Sequence, residues 1–305
     1  MNKYKCTLFN CKSIKKLQKY LFIQNKNNFK KISNELKNNP LNFYVSFKNN
    51  TGRELFSCNE QIKKIHKRLQ KLFNVEKSDY LKSGVKKESH ITNVKFHKNS
   101  NFFLLLDIKN FYPSITKQKI KKQLITTYNQ SSDVAEIISN MVTVPQEKAL
   151  GKRALVTGSV LSQFFAYMIN KKMFDELDKI SKEENIRFSL YVDDLTFSSN
   201  VPVSYLFYTK VYNIIRKNGY IIHSGKIYRG KIGNKSKITG VHITKYGFRL
   251  LDRHKIKIRE IIKNKDYLEN NKPLLGLLNY ALQVNPKYSK YMYLIKKKLI
   301  SDSNI

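Results

Sequence analysis

The sequence is poor in cysteine and acidic side chains, and it has no tryptophan. Its three cysteines, Cys6, Cys11 and Cys58, show no Cys-x-x-Cys spacing and no matching pattern of histidines. This argues against a zinc site and against a disulfide framework. The sequence also lacks a long apolar run, and its first residues do not have the pattern of a signal peptide. We therefore expect a cytoplasmic protein without a membrane partner.

The shortage of acids leaves a large positive charge. Lysine and arginine number 58 against 22 aspartate and glutamate residues, for a formal net charge of +36. The basic residues are spread along the whole chain, which favours binding to a polyanion such as nucleic acid. A biased gene composition would explain lysine in place of arginine, but it would not explain so few acids.

Two adjacent aspartates stand out against this background. Residues 188–199 have aromatic and β-branched residues on both sides of Asp193-Asp194, a pattern that predicts a β-hairpin with an acidic tip. Aspartate is common in solvated turns, and that is one interpretation of the pair. Two like charges side by side repel each other, however, and a bound cation would remove the conflict.

A third aspartate ends an apolar run. Residues 102–106 are continuously apolar, which predicts a buried strand, and Asp107 follows them. An unpaired carboxylate at the end of a buried strand is costly, so Asp107 is expected to have a cation as well. If the two strands are neighbours, three carboxylates converge, and such oxygen ligands select Mg²⁺ or Mn²⁺.

Several motifs resemble those of one enzyme family. The segment 191–194, Tyr-Val-Asp-Asp, resembles the Tyr-x-Asp-Asp motif of reverse transcriptases, and 107–115 resembles their first palm motif. Segments 83–97 and 237–243 resemble blocks of the bacterial retron branch. The resemblance covers roughly residues 43–299.

The resemblance implies an α+β right-hand polymerase with fingers, an antiparallel palm sheet and a helical thumb. It places the N-terminal helices and fingers in 1–98, the palm in 99–245 and the thumb in 246–305, with a helical, fingers-like insertion at about 117–155. Apolar spacing independently predicts two helices within 12–38, others from 59 to 72, 117 to 128, 132 to 142 and 203 to 218, and a hairpin in 43–57.

The same resemblance assigns the catalytic residues. Asp107, Asp193 and Asp194, with the backbone carbonyl of Ile108, would hold two Mg²⁺ ions, or Mn²⁺. Lys226 resembles the lysine that protonates the leaving pyrophosphate in many polymerases.

Four further residues are expected to bind the incoming nucleotide. Lys48 and Arg53 flank the turn of the predicted fingers hairpin and would hold the triphosphate of a dNTP, although two solvated charges would look the same. Tyr112 resembles the steric gate that excludes the ribose 2′-OH, with core packing as the alternative. Gly158 lies in a block whose backbone abuts template and nucleotide in the family.

Six residues are expected to bind RNA or primer. Asn93 and His97 match the retron Asn-Ala-x-x-His block, with valine in place of alanine, and they would either hold RNA or order the local backbone. The others belong to the primer grip and the thumb: Thr239, Gly240, Arg253 and Lys255.

The resemblance implies a retron reverse transcriptase that copies its own structured noncoding RNA into a branched RNA–DNA molecule, msDNA. It further implies a role in anti-phage defence, with an effector or toxin protein encoded nearby. Two alternatives stay open: another reverse transcriptase class, such as a group II intron or diversity-generating enzyme, and a catalytically idle RNA-binding scaffold.

Overall fold

The computed structural model describes residues 6–50, 52–73, 78–159, 161–233, 236–264, 270–290, 292–294 and 297. The end of the predicted thumb, 298–305, lies outside this range. The α-helices of the described part are α1 Ile14–Tyr20, α2 Lys26–Asn38, α3 Glu60–Leu72, α4 His90–Phe96, α5 Lys117–Thr126, α6 Ser132–Val142, α7 Ser162–Glu183, α8 Tyr205–Lys217, α9 Asp252–Lys263 and α10 Lys272–Val284.

The strands of the described part are short, and the pairings between these named strands are antiparallel. They are β1 Tyr44–Lys48, β2 Glu54–Cys58, β3 Phe102–Asp107, β4 Thr143–Pro145, β5 Arg153–Leu155, β6 Arg187–Tyr191, β7 Asp194–Ser199, β8 Tyr228–Lys231, β9 Lys237–Ile238, β10 Val241–Thr244 and β11 Gly247–Leu250. An α+β chain with an antiparallel central sheet is therefore confirmed.

The chain forms two compact units, each assembled from three separate segments. The first unit contains Met1–Asp79, Ile108–Lys179 and Val211–Ile222, and the second contains Tyr80–Asp107, Ile180–Lys210 and His223–Ile305. The ranges predicted for fingers, palm and thumb are continuous in sequence and come from the family resemblance, whereas the two units are defined by compactness in space. The boundaries of fingers, palm and thumb therefore stay a prediction.

Helices α2 and α3 of the first unit form for the reasons that the sequence suggests. The side chain of Asn59 caps α3 by accepting a hydrogen bond from the backbone N–H of Ile62 at 3.0 Å. The apolar residues of α3, at spacings of three and four, are buried, while most of its lysines remain exposed. Asn25 caps α2 in the same manner, and Phe29, Ile32 and Leu36 are its buried face.

A buried polar cluster connects distant parts of the first unit. His66 of α3 is fully buried, and its ring nitrogens lie 2.6 Å from Ser159 Oγ and 2.7 Å from the carbonyl oxygen of Met141. The hydroxyl of Tyr44 lies 3.0 Å from the same ring. Burial lowers the pKa of His66 to about 4, so the ring is neutral at physiological pH.

The second unit is built on a four-stranded sheet with the order β6-β7-β3-β8. Strand β3 pairs with β7 on one side and with β8 on the other, so both of its hydrogen-bonding edges have a partner strand, as in a central strand. A three-stranded sheet, β11-β10-β9, packs with helices α4, α9 and α10 around an apolar cluster that includes Val94, Ile258, Leu278 and Phe103 of strand β3. Within the described residues, no helix is long and apolar enough to span a membrane.

Candidate active site

The two adjacent aspartates lie at the tip of the β6–β7 hairpin. Tyr191 pairs with Asp194, so Val192 and Asp193 form the turn and Asp194 is the first residue of β7. Val192 has a φ of +61°, a left-handed conformation that is costly for a β-branched residue. Its backbone N–H donates to Ser83 Oγ at 3.0 Å. Neither this strained turn nor the serine that holds it was predictable from the sequence pattern.

Asp107 lies directly opposite Asp194. It is the last residue of β3, and the β3–β7 register pairs the Cα atoms of Asp107 and Asp194. Cross-strand partners project from the same face of a sheet with their Cβ atoms about 4.5–5.5 Å apart, and like charges in this position destabilise it. The sheet register therefore places two carboxyl groups next to each other despite their separation in sequence.

Lys226 provides a positive charge for this pair. Its ammonium group donates to Asp107 Oδ2 at 2.8 Å, from a short 3-10 turn that comprises Ser224–Lys226. The backbone helps to align the two segments, because the N–H of His223 donates to the carbonyl oxygen of Asp107, also at 2.8 Å. The hydrogen bond to Asp107 raises the pKa of Lys226, so the lysine is fully protonated at neutral pH.

The lysine does not balance the negative charge completely. Burial, followed by the charges of Asp193 and Asp107, raises the pKa of Asp194 to about 7, and Lys226 and Lys237 oppose this shift only in part. Ionising all three carboxyl groups is therefore unfavourable unless more positive charge is added. A divalent cation would supply it.

The donor set fits a hard divalent cation in chemical type, since it consists of carboxylate oxygens without cysteine or histidine. The carboxylates are not arranged as a ready metal cage, however. Across the part of the chain that is described, no group of three or more His, Cys, Asp or Glu side chains is placed to hold one ion. One oxygen of Asp107 is bound to the Lys226 ammonium group instead.

Asn93 and His97 are buried beneath the hairpin. The ring of His97 lies 2.7 Å from Ser198 Oγ and 2.7 Å from Ser189 Oγ, and the hydroxyl of Ser189 donates to Asn93 Oδ1, again at 2.7 Å. Both Asn93 and His97 have no exposed surface. In this structure they therefore order the protein around strands β6 and β7, and their side chains do not reach a surface where RNA could lie.

The other RNA-binding candidates of the second unit lie at or near its surface. Thr239 and Gly240 form the turn between β9 and β10, where the Thr239 hydroxyl donates to the carbonyl oxygen of His90 at 2.9 Å. Arg253 is exposed on α9, and Lys255 forms an ion pair with Asp252 at 2.9 Å on the same helix. Arg253 and Lys255 are therefore accessible to a ligand, Arg253 fully and Lys255 in part.

The remaining candidates belong to the first unit. Lys48 ends β1, and Arg53 precedes β2, with its backbone N–H donating to Asn49 Oδ1 at 2.9 Å. The two basic residues therefore flank one hairpin turn. Tyr112 is half-buried, with its ring centroid 5.8 Å from that of Phe111.

Ile108 and Gly158 also lie in the first unit, and both have tight backbone surroundings. The buried Ile108 forms an antiparallel bridge with Ile222. Gly158 has a φ of +108°, and a Cβ atom at this position would lie 3.0 Å from the carbonyl oxygen of Phe56. Only glycine combines this backbone conformation with so close an approach.

Comparison with known proteins identifies the class. Residues 46–243 match the family described as "Reverse transcriptase (RNA-dependent DNA polymerase)", which is more than half of the chain. The chain therefore belongs to the reverse transcriptase family. The predicted right-hand polymerase fold and the predicted class of enzyme, an RNA-directed DNA polymerase, are confirmed.

Curated relatives narrow the comparison to one branch of that family. The chain is 28% identical over 212 residues to the retron Ec83 reverse transcriptase of Escherichia coli, covering 65% of this chain and 67% of the relative. It is 26% identical to the retron Se72 enzyme of Salmonella heidelberg, covering 56% and 45%, and 24% identical to the retron Mx162 enzyme of Myxococcus xanthus, covering 52% and 37%. The resemblance to bacterial retron reverse transcriptases is confirmed.

The aligned part spans between about a third and two thirds of the length of these relatives. Among solved structures, the chain is similar to a foamy viral protease-reverse transcriptase in complex with double-stranded DNA, with a TM-score of 0.47 and 17% identity. That match covers 92% of this chain and 43% of the viral one. A Candida albicans telomerase structure is also similar, with a TM-score of 0.42, 13% identity and coverage of 70% and 42%.

Proposed function

We propose that this protein is a retron reverse transcriptase that adds dNTPs to a nucleic-acid primer on an RNA template. The observation that carries the proposal is the pairing of Asp107 with Asp194 across two strands, with Lys226 bound to Asp107, in a chain of this family. The fingers, palm and thumb would occupy the ranges predicted from the sequence.

Asp107, Asp193 and Asp194, with the carbonyl of Ile108, would hold the divalent cations, Mg²⁺ or Mn²⁺. Burial and the acidic neighbours raise the pKa of Asp194, which means that its ionised form needs more nearby positive charge than the protein provides. A bound cation would supply that charge, and this supports the assignment. When bound, such ions would activate the attacking hydroxyl and neutralise the charge of the phosphates.

Lys226 is proposed to donate a proton to the leaving pyrophosphate. The ion pair keeps its ammonium group protonated and directs it toward the carboxylates. A general acid needs a proton at a defined position, and the hydrogen bond to Asp107 supplies that position.

The nucleotide would be bound by residues of the first unit. Lys48 and Arg53, on either side of the hairpin turn, suit a triphosphate. Gly158 would allow the backbone to approach the nucleotide or template closely, and Tyr112 would select against the ribose 2′-OH. These four roles come from the family resemblance, and their places in the first unit are compatible with them.

The RNA partner is proposed to be the noncoding RNA of the same retron. Thr239, Gly240, Arg253 and Lys255 would contact RNA or primer, while Asn93 and His97 would act indirectly by holding the Asp193–Asp194 hairpin. The product would be a branched RNA–DNA molecule used in anti-phage defence with an effector encoded nearby, in the bacterial cytoplasm. The names of the relatives support the retron assignment, while the branched product, the defence role, the effector and the location come from the family resemblance.

Copurification from the native locus followed by sequencing of the bound nucleic acid tests the proposal. We expect DNA covalently joined to RNA with the natural protein and RNA alone with Asp193→Asn. Glu60→Gln is the matched control, because Glu60 is also an acid but pairs with Lys63 on an exposed helix face. If Asp193→Asn and the natural protein carry the same RNA and neither carries DNA, the chain is a scaffold.

A further inference from the structure

A cleft in the first unit, lined by none of the residues assigned a function above, has the composition of a nucleic-acid site. Its volume is about 770 Å³, and it lies between helices α2 and α3 and the turn that joins α1 to α2. Buried apolar side chains, Leu21, Ile32 and Ile65, line its floor. A cleft of this size accommodates a nucleotide-sized ligand.

Polar and basic side chains line the rest of the cleft. Gln61, Lys64 and Arg68 share one face of α3, because they are spaced by three and four residues. Gln24 and Asn28 add amide groups, which can both donate to and accept from the edge of a base. The described residues that line this cleft include no acid, so its charge complements a polyanion.

Phe22 is the unusual residue of this cleft. It is 71% exposed, and its φ is +58°, the left-handed conformation in which bulky side chains are costly. The backbone N–H groups of Phe22 and Ile23 donate to the carbonyl oxygens of Lys19 and Gln18, which is the Schellman ending of helix α1. Glycine is the usual residue at this position, so the chain bears both backbone strain and an exposed ring here.

Arg68 holds the phenylalanine ring in place from one side. Its guanidinium carbon lies 3.8 Å from the ring centroid, and its Nε donates to the carbonyl oxygen of Tyr20 at 2.7 Å. A ring that is stacked on one face and still highly exposed presents its other face to solvent. Proteins bind single-stranded nucleic acid by stacking its bases on fixed aromatic rings that lie beside basic side chains.

We infer that this cleft binds a single-stranded segment of nucleic acid, with an unpaired base stacked on Phe22 and the adjacent phosphates held by Lys64 and Arg68. A duplex does not offer a free base face, so the site selects unpaired nucleotides of either RNA or DNA. The inference does not depend on polymerase activity. It adds an anchoring site for nucleic acid outside the residues assigned to nucleotide addition.

Binding of a short, unstructured, fluorescent oligonucleotide to the full-length protein, freed of bound nucleic acid at high salt, tests this site. Phe22→Gly removes the ring and relieves the backbone strain, so we expect an unchanged or higher melting temperature with binding weakened about 5- to 150-fold. Phe22→Tyr keeps a ring and should retain binding. RNA and DNA of one sequence, tested in parallel, show which strand the site prefers.

A matched pair of lysine variants tests how much charge contributes to binding of the oligonucleotide. Lys64→Gln should reduce the slope of log affinity against log salt by about 0.7, the value for one phosphate contact of a single strand. Lys67→Gln, on an exposed part of the same helix outside the cleft, should leave the slope unchanged. Photocrosslinking from a 4-thiouridine in the oligonucleotide should map to Phe22 or its neighbours in the cleft.

Primer extension on a generic template separates this site from the polymerase. Phe22→Gly should extend such a primer at the normal rate, whereas Asp193→Asn should not extend it at all. If Phe22→Gly and Lys64→Gln bind the oligonucleotide with normal affinity and salt dependence, the inference is wrong. Crosslinks confined to other surfaces of the protein would also overturn the inference. A protein partner would then be the alternative ligand of the cleft.

Discussion

The buried ring of His97 makes the stability of the second unit sensitive to acid. Burial, with smaller effects from Arg187 and Lys82, lowers the pKa of His97 to about 3, from an ordinary value of 6.5. The folded protein therefore keeps this ring neutral at a pH where the unfolded chain takes up a proton. This contribution to stability is fully present above pH 6.5 and is lost as the pH falls toward 3.

The size of the effect follows from the two pKa values. Between about pH 7 and about pH 5 the unfolded histidine gains most of a proton while the folded one gains almost none, which lowers the free energy of unfolding by about 2 kcal/mol. Urea unfolding at the two pH values measures this loss directly. In His97→Gln the loss should be about 2 kcal/mol smaller than in the natural protein, because the titrating group is gone.

A second variant separates titration from packing. Ser189→Ala removes one hydrogen-bond partner of the ring but leaves the histidine, so it should lower stability by about 1–3 kcal/mol and preserve the pH dependence. The remaining histidines titrate equally in all three proteins and cancel in the comparison. Parallel pH dependence in the natural protein and His97→Gln would refute a neutral, buried His97.

Three further predictions concern Gly158, Lys226 and Arg153. Gly158→Ala should destabilise the protein by about 1–3 kcal/mol and raise the KM for dNTP, because the new Cβ would meet the Phe56 carbonyl. Thermal unfolding measures the loss of stability, and steady-state primer extension measures the KM. Lys226→Gln should slow single-turnover dNTP addition by about 10²-fold or more, while its loss of unfolding free energy stays below about 1 kcal/mol because its ion pair with Asp107 is largely exposed on the lysine side. Arg153→Lys should cost about 2–4 kcal/mol in urea unfolding, since the guanidinium group donates to the carbonyl oxygens of four residues and lysine cannot reproduce that fork; normal stability of this variant would show that those bonds contribute little.

Local patterns in the sequence predicted local structure well. The spacing of apolar residues identified α2 and α3, because amphipathicity depends on residues within one or two turns. The apolar run before Asp107 likewise predicted a buried strand. These features need no knowledge of the distant chain.

Features that depend on distant contacts were not predictable in the same way. The hydrogen bonds of His97 reach residues about a hundred positions away, and a lone histidine carries no sign of such partners. The strain at Val192 arises from the register of β6 and β7, which propensity does not encode. The motif resemblance left open whether Asn93 and His97 hold RNA or order the local backbone, and the burial of both side chains favours the second alternative.

The interleaving of the two units has a consequence for how the protein is made. The last segment of the first unit, Val211–Ile222, is synthesised after two segments of the second unit, Tyr80–Asp107 and Ile180–Lys210. Neither unit corresponds to one continuous stretch, so a truncated chain that stops before residue 222 leaves both incomplete. Folding during translation must therefore wait for late segments, and the nascent chain is expected to rely on chaperones for longer than a protein whose domains follow one another in sequence.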